Sequence, residues 1–127
     1  MLDHIGVNVS DYGSAKAFYV AALAPLGYTL AFEPIAKVGG FSIGDRGAQG
    51  AFPFWIAEGP GAPTVAHIAF TAPDRATVDA FHAAALAAGG TDNGAPGIRA
   101  IYHPDYYGAY VLTADGVNLE AVCHRPE

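Results

Sequence analysis

The side chains with the most chemistry to offer are two histidines at the same place in a repeated segment and one glutamate in an apolar stretch. His4, in Leu2-Asp3-His4-Ile5-Gly6-Val7-Asn8, and His67, in Val65-Ala66-His67-Ile68-Ala69-Phe70-Thr71, are 63 residues apart. At that offset ten of the 24 positions from His4 to Gly27 are identical, among them Ile5 with Ile68, Asp11 with Asp74, Phe18 with Phe81, Ala22 with Ala85 and Gly27 with Gly90. That is more than an alanine-rich composition explains, so the chain reads as two copies of one module. Two-fold internal symmetry gathers equivalent residues near its axis, and a histidine in the first strand of both halves points to a shared site there. Glu120 stands in the mostly apolar Val117-Asn118-Leu119-Glu120-Ala121-Val122. A carboxylate in such a strand needs a cation or hydrogen-bond donors, because burying it alone is expensive.

These residues must be positioned by a small set of elements. Residues 2–9 alternate, with His4, Gly6 and Asn8 on one face and Ile5, Val7 and Val9 on the other, which predicts a half-buried strand. Ser10 or Asp11 can cap a helix running to about Leu26, with Ala15, Phe18, Ala22 and Leu26 inward and Gly27 as its stop. Strands are expected at Tyr28–Glu33, Lys37–Ile43 and Ala51–Ala57, between the turn signals Pro34, Gly39-Gly40 and Gly44 to Gly50. Glu58-Gly59-Pro60-Gly61-Ala62-Pro63 reads as the linker. The order then repeats: a strand at Thr64–Thr71, a helix from the Asp74 cap to about Ala88 with Val78, Phe81 and Ala85 inward, Gly89-Gly90 as its stop, and strands near Thr91–Ile98, Tyr107–Thr113 and Val117–His124. Asp115-Gly116 is a specific hairpin-turn signal between the last two.

At 127 residues the chain suits one domain, and each half of about 60 residues would be marginal alone. We therefore expect a single α+β domain over residues 1–127, with module one at 1–58 and module two at 64–124. A net charge of −6, with the six basic residues scattered, argues against nucleic acid as a partner. No apolar run approaches the roughly 20 residues of a membrane span, and the chain opens directly into a strand rather than a basic, apolar leader, so a soluble cytoplasmic protein is expected. The lone Cys123 cannot form an internal disulfide, in keeping with a reducing compartment.

A tandem strand, helix, three-strand module with a histidine in the first strand of each copy and a glutamate in the eighth strand resembles the vicinal oxygen chelate superfamily. That group includes glyoxalase I, extradiol dioxygenases, fosfomycin-resistance thiol transferases and bleomycin-resistance proteins. The resemblance implies that the two βαβββ modules form one curled, cup-like mixed sheet with helices on the outside, and that a divalent metal sits between the halves. It further implies His4, His67 and Glu120 as the metal ligands, with Asp115-Gly116-Val117-Asn118-Leu119-Glu120 similar to the family's turn followed by a glutamate. Two neutral imidazoles and one carboxylate suit Fe(II) or Mn(II), and zinc accepts them too. The glyoxalase I pattern has a fourth ligand, but the 63-residue offset puts Ala57 opposite Glu120, and Glu58 reaches the place only with a one-residue shift. That ligand stays open.

In the dioxygenases of this group a tyrosine ten residues before the metal glutamate and a histidine further upstream move protons. Tyr110 holds that spacing, and His103 precedes it in Ile101-Tyr102-His103-Pro104-Asp105-Tyr106-Tyr107. The expected function is a divalent-metal-dependent enzyme acting on a small molecule through two adjacent oxygens, dioxygenase-like or lyase- or isomerase-like. The alternative is a non-catalytic protein that holds a drug-like molecule, as bleomycin-resistance proteins do. Among the aromatics expected to fill the cup, Trp55 and Tyr107 are expected to line a substrate pocket, and Asn8 shares a face with His4 and could orient a ligand. Arg46 and Arg99 are the candidates for an anionic substrate group. His82 is read as a solvated or amphipathic helix residue, His124 as surface, and Cys123 as facing helix packing. Superfamily members of this length are commonly homodimers, and 52% hydrophobic residues on a short chain leave apolar surface for a partner.

Overall fold

The computed structural model describes residues 3–61 and 65–127. The first two residues and residues 62–64, which hold the expected starts of both first strands and the end of the linker, lie outside the described residues. The first half runs β1 (Ile5–Val9), α1 (Tyr12–Leu23), β2 (Tyr28–Phe32), β3 (Val38–Ile43) and β4 (Phe54–Glu58). The second runs β5 (His67–Thr71), α2 (Arg75–Ala87), β6 (Thr91–Ile98), β7 (Tyr107–Leu112) and β8 (Asn118–Cys123).

Each helix starts where the repeat carries an aspartate. Asp11 accepts from the Ser14 backbone N–H at 2.7 Å, and Asp74 accepts from the Thr77 N–H at 2.7 Å. Each bond satisfies one of the amides that a helix start leaves without a partner. The first helix ends at Leu23 rather than near Leu26, and Ala24–Leu26 tighten into a 3-10 turn. Pro25 explains the difference: it lacks an N–H for the i−4 carbonyl and its ring crowds that turn. Gly27 then closes the turn at φ 81°, a left-handed conformation that only glycine takes without strain.

The strands form two four-stranded sheets, ordered β1-β4-β3-β2 and β5-β8-β7-β6. In each, the first and last strands of the module pair in parallel and the remaining pairs are antiparallel. This corrects the expectation of one curled, cup-like sheet: β1 and β5 are both edge strands and do not pair with one another. Side chains join the halves instead, with Phe70 packed edge-on against Phe54 at 5.5 Å and against Tyr28 at 5.2 Å. The Asp115 carboxylate, in the β7–β8 hairpin, accepts from the backbone N–H and the hydroxyl of Ser10. The helices flank the sheets as expected, and α1 and α2 also touch each other.

From α2 the core takes Val78, Phe81 and Ala85, all fully buried; from α1 it takes Phe18 and Ala22 with Tyr12, Tyr19 and Leu23 beside them, and from the following 3-10 turn Leu26. Each fully buried aliphatic or phenyl side chain contributes about 1.5–3 kcal/mol. The helix-facing sides of β5 and β8 supply Ile68, Phe70, Leu119, Ala121 and Cys123. Among the described residues, no helix is long and apolar enough to cross a membrane.

Candidate functional site

Sheet register decides which side chains can meet. Ala69 pairs with Glu120 and His67 with Asn118 between β5 and β8, while Tyr110 pairs with Glu120 across β7 and β8. Registered partners share a face, so His67, Glu120 and Tyr110 stand on the face of the second sheet turned away from the helices. Cys123 has the opposite parity, as expected.

Among the described residues Glu120 is the only buried one that carries a charge, with its side chain 2% exposed. Its Oε2 lies 2.8 Å from His67 Nε2, and its Oε1 accepts from the Tyr106 hydroxyl. The carboxylate thus has a donor on each oxygen, the condition for burying it. Burial first, and then Glu120, push the Tyr106 hydroxyl well above the usual tyrosine range. Burial and the Glu120 charge raise Tyr110 as well. Both phenols therefore keep their protons at neutral pH and serve as donors. His67 is the accessible member, its side chain 54% exposed and its ring 6.1 Å from that of Tyr110. A cleft of about 490 Å³ follows β5 past His67 and Thr71, bounded by Ile5, Tyr28 and Arg46.

Tyr106 is the member that sequence reasoning missed as a site residue. It precedes β7 and is carried by a turn in which its own N–H bonds to the His103 carbonyl. The available signal was Gly108, which pairs with Val122 on the same face. A Cβ there would stand 3.1 Å from Glu120 Oε1 and 3.2 Å from the Tyr106 ring, so the missing side chain makes room for their contact.

The model of the Glyoxalase/Bleomycin resistance protein/Dioxygenase superfamily matches residues 1–121. The chain belongs to this superfamily. It is 31% identical to a glyoxalase/bleomycin resistance protein from Albidiferax ferrireducens T118, with 98% of each chain covered and a TM-score of 0.78. The fold is also shared with a hypothetical protein from S. aureus (20% identity, 94% of each chain, TM-score 0.69). A lactoylglutathione lyase from Agrobacterium tumefaciens is similar at 17% identity over 97% of this chain and 92% of that one, TM-score 0.66. No curated protein matches the chain.

The superfamily's metal set is only partly assembled. Among the described residues, no three His, Cys, Asp or Glu side chains gather where they could hold a metal ion. His67 and Glu120 are together, but His4 is not with them: its Nδ1 lies 2.7 Å from the Asp3 carboxylate and its side chain is 61% exposed, beside Trp55 in a cavity that shares Arg46 and Pro53 with the His67 cleft. Within one chain the donor set is therefore one short. Glu58 is no substitute. It registers with Val9 on the helix side of the first sheet, accepts from the Tyr12 N–H at 3.0 Å and pairs with Lys37, which holds its carboxyl below the usual range. Its work is to anchor the start of α1.

The remaining expected residues divide. Tyr110 stands beside Glu120 and carries Arg99 over its ring at 5.5 Å. His103 does not reach Glu120: its Nε2 lies 2.9 Å from His124 Nδ1, and its ring packs against Tyr106 at 5.5 Å, which makes it a support of the Tyr106 turn. Tyr107 faces the helices, donating to Asp79 of α2 at 2.8 Å, because it pairs with Cys123 and not with Glu120. Asn8 donates to the Pro60 carbonyl at 3.0 Å and holds the linker. Trp55 lies over Gly40, with Phe32 and Phe52 packed against its ring. His82 pairs with Asp92 at 2.9 Å, and its side chain is 12% exposed.

Proposed function

We propose that this chain is a small-molecule enzyme whose reacting site is the open face of the second module, centred on Glu120. The observation that carries the reading is a fully buried carboxylate facing away from the helix-packed core, between an exposed imidazole and a proton-holding phenol. A residue kept only for stability in that place would be apolar, since burying an ion pair gains little over a hydrophobic replacement. His67, the exposed member, presents its ring to that face and is the group that a substrate or an ion meets first. Tyr106 and Tyr110 hold their protons and donate to an oxygen of the substrate or of Glu120. Arg46, which lines the cleft, is in no ion pair among the described residues and is a ready partner for an anionic group.

The finer reading is a divalent ion, Fe(II), Mn(II) or Zn(II), with His4, His67 and Glu120 as ligands. One chain does not fit that set, so the third ligand must come from a second copy. Support for a homodimer of this kind is that His4 and His67 sit at equivalent ends of β1 and β5, two edge strands with unpaired backbone groups. The second reading, a binding protein without catalysis, draws on the aromatic trio Phe32, Phe52 and Trp55, whose rings lie 5.1–6.2 Å apart beside the His4 cavity. Metal analysis of protein purified without chelators, with its mass in solution, decides between them. The enzyme reading expects near-stoichiometric metal in a dimer, abolished in His67→Ala and Glu120→Ala. A metal-free wild type that takes up none of the three ions defeats it and leaves ligand binding.

A further inference from the structure

Away from Glu120, a second cavity of about 380 Å³ opens where the start of α1, the end of α2 and the β7–β8 hairpin meet. It shares no lining residue with the clefts at His67 and His4. Ala15, Phe18 and Ala88 give its lining apolar surface, and Asp11, Thr113 and Asp115 give it polar groups. Tyr19 also lines it. That residue is 1% exposed, and its hydroxyl has no hydrogen-bond partner among the described residues. The ring is fixed by Phe18, Phe41 and Phe54, so the hydroxyl cannot turn away. It points toward the hairpin: Thr113 is near without being in bonding geometry, and the Asp115 charge adds to burial in raising its pKa. Leaving a buried hydroxyl unmatched costs free energy that a suitable ligand would recover.

The charged side chains that line this cavity, Asp11 and Asp115, are both acidic. Asp115 accepts from Ser10 and Asp11 caps α1, yet neither is in an ion pair among the described residues, and each carboxylate keeps lone pairs to spare. A chain with net charge −6 also draws cations toward such a site. We propose that this cavity is a second ligand site, specific for a small organic ammonium with an apolar body: the ammonium bonds the Asp115 carboxylate and the Tyr19 hydroxyl oxygen, and the body packs on Phe18. An anion of the same shape is excluded by the two carboxylates, and a neutral alcohol forfeits the ionic contact.

The test is a titration of full-length, isotope-labelled protein with 2-phenylethylammonium, 2-phenylethanol and phenylacetate, followed by amide chemical shifts. The proposal expects saturable shifts for the ammonium at Ser14, Ala15, Ala88, Gly89 and Ala114, at least tenfold weaker binding of the alcohol and none of phenylacetate. Asp115→Asn should weaken the ammonium at least tenfold. Since Asp115 also holds Ser10, Tyr19→Phe is the second variant: it should weaken binding several-fold while leaving the melting temperature unchanged or raised, because the empty protein gives that hydroxyl no partner. Equal binding of the three probes, shifts centred on His67 instead, or no saturation each overturn the proposal. So does a clear drop in melting temperature for Tyr19→Phe without ligand, which would mean that an ordered water already serves the hydroxyl.

Discussion

The contact between Tyr106 and Glu120 lends itself to a direct energetic test. Glu120 has a side chain 2% exposed and one donor on each oxygen, His67 on Oε2 and Tyr106 on Oε1. Tyr106→Phe keeps the ring and its packing and removes only the donor to Oε1. A hydrogen bond to a charged group is worth about 1.5–3 kcal/mol. Tyr106 is only half-buried, so water can enter the gap and partly replace the lost donor, which points to the lower end, about 1.5 kcal/mol. In a chain of this length that lowers the melting temperature by about 5–9 °C. Urea unfolding at fixed protein concentration measures it, and the slope with denaturant should stay constant. A double-mutant cycle with Glu120→Gln should return a coupling of about the same size, since the two groups are in contact. A Tyr106→Phe protein within about 0.5 kcal/mol of wild type, or a coupling below that, would refute the idea that Tyr106 holds the carboxylate.

Gly90→Ala should cost about 3 kcal/mol by urea unfolding, because the new Cβ would sit 2.4 Å from Val111 Cγ1 and 2.9 Å from the Ala85 carbonyl oxygen. Its neighbour Gly89 has open space but φ 101°, so Gly89→Ala should cost only about 1–2 kcal/mol of backbone strain. Phe81→Ala empties the centre of the α2 face and should lose about 3–5 kcal/mol. Burial first, then Glu33, push the Tyr12 hydroxyl from its ordinary 10 up to about 12. The folded state therefore holds that proton more firmly than the unfolded chain, and the stabilisation is complete below pH 10 and lost as pH rises toward 12. Tyr12→Phe should flatten that part of the alkaline loss in a series of urea midpoints, leaving the share due to Tyr19 and Tyr106.

Much of this architecture is legible because the repeat and the local chemistry agree. Asp11 and Asp74 cap both helices, Val78, Phe81 and Ala85 face inward, and Gly116 turns the last hairpin at φ 80°. Strand parity alone separates Glu120 from Cys123. What the sequence hid depends on how separate pieces meet. Nothing local says whether β1 and β5 join into one sheet, so the gathering of His4 with His67 and Glu120 could not be read from symmetry. Tyr106 and Tyr107 are neighbours of the same type, and only the register of β7 decides that one reaches Glu120 and the other α2. Glu58 stands one residue from the position equivalent to Glu120 and thereby on the other face.

The central claim is that His67 and Glu120 of one copy form the site together with His4 of another, and mixing two inactive variants tests it most directly. His4→Ala and Glu120→Ala are each expected to be metal-free. Mixed and allowed to exchange subunits, half of the dimers become heterodimers with one intact site of two, so about a quarter of the wild-type metal should return. A mixture that holds no more metal than either variant alone, or a His4→Ala protein that keeps its full complement, would contradict the account.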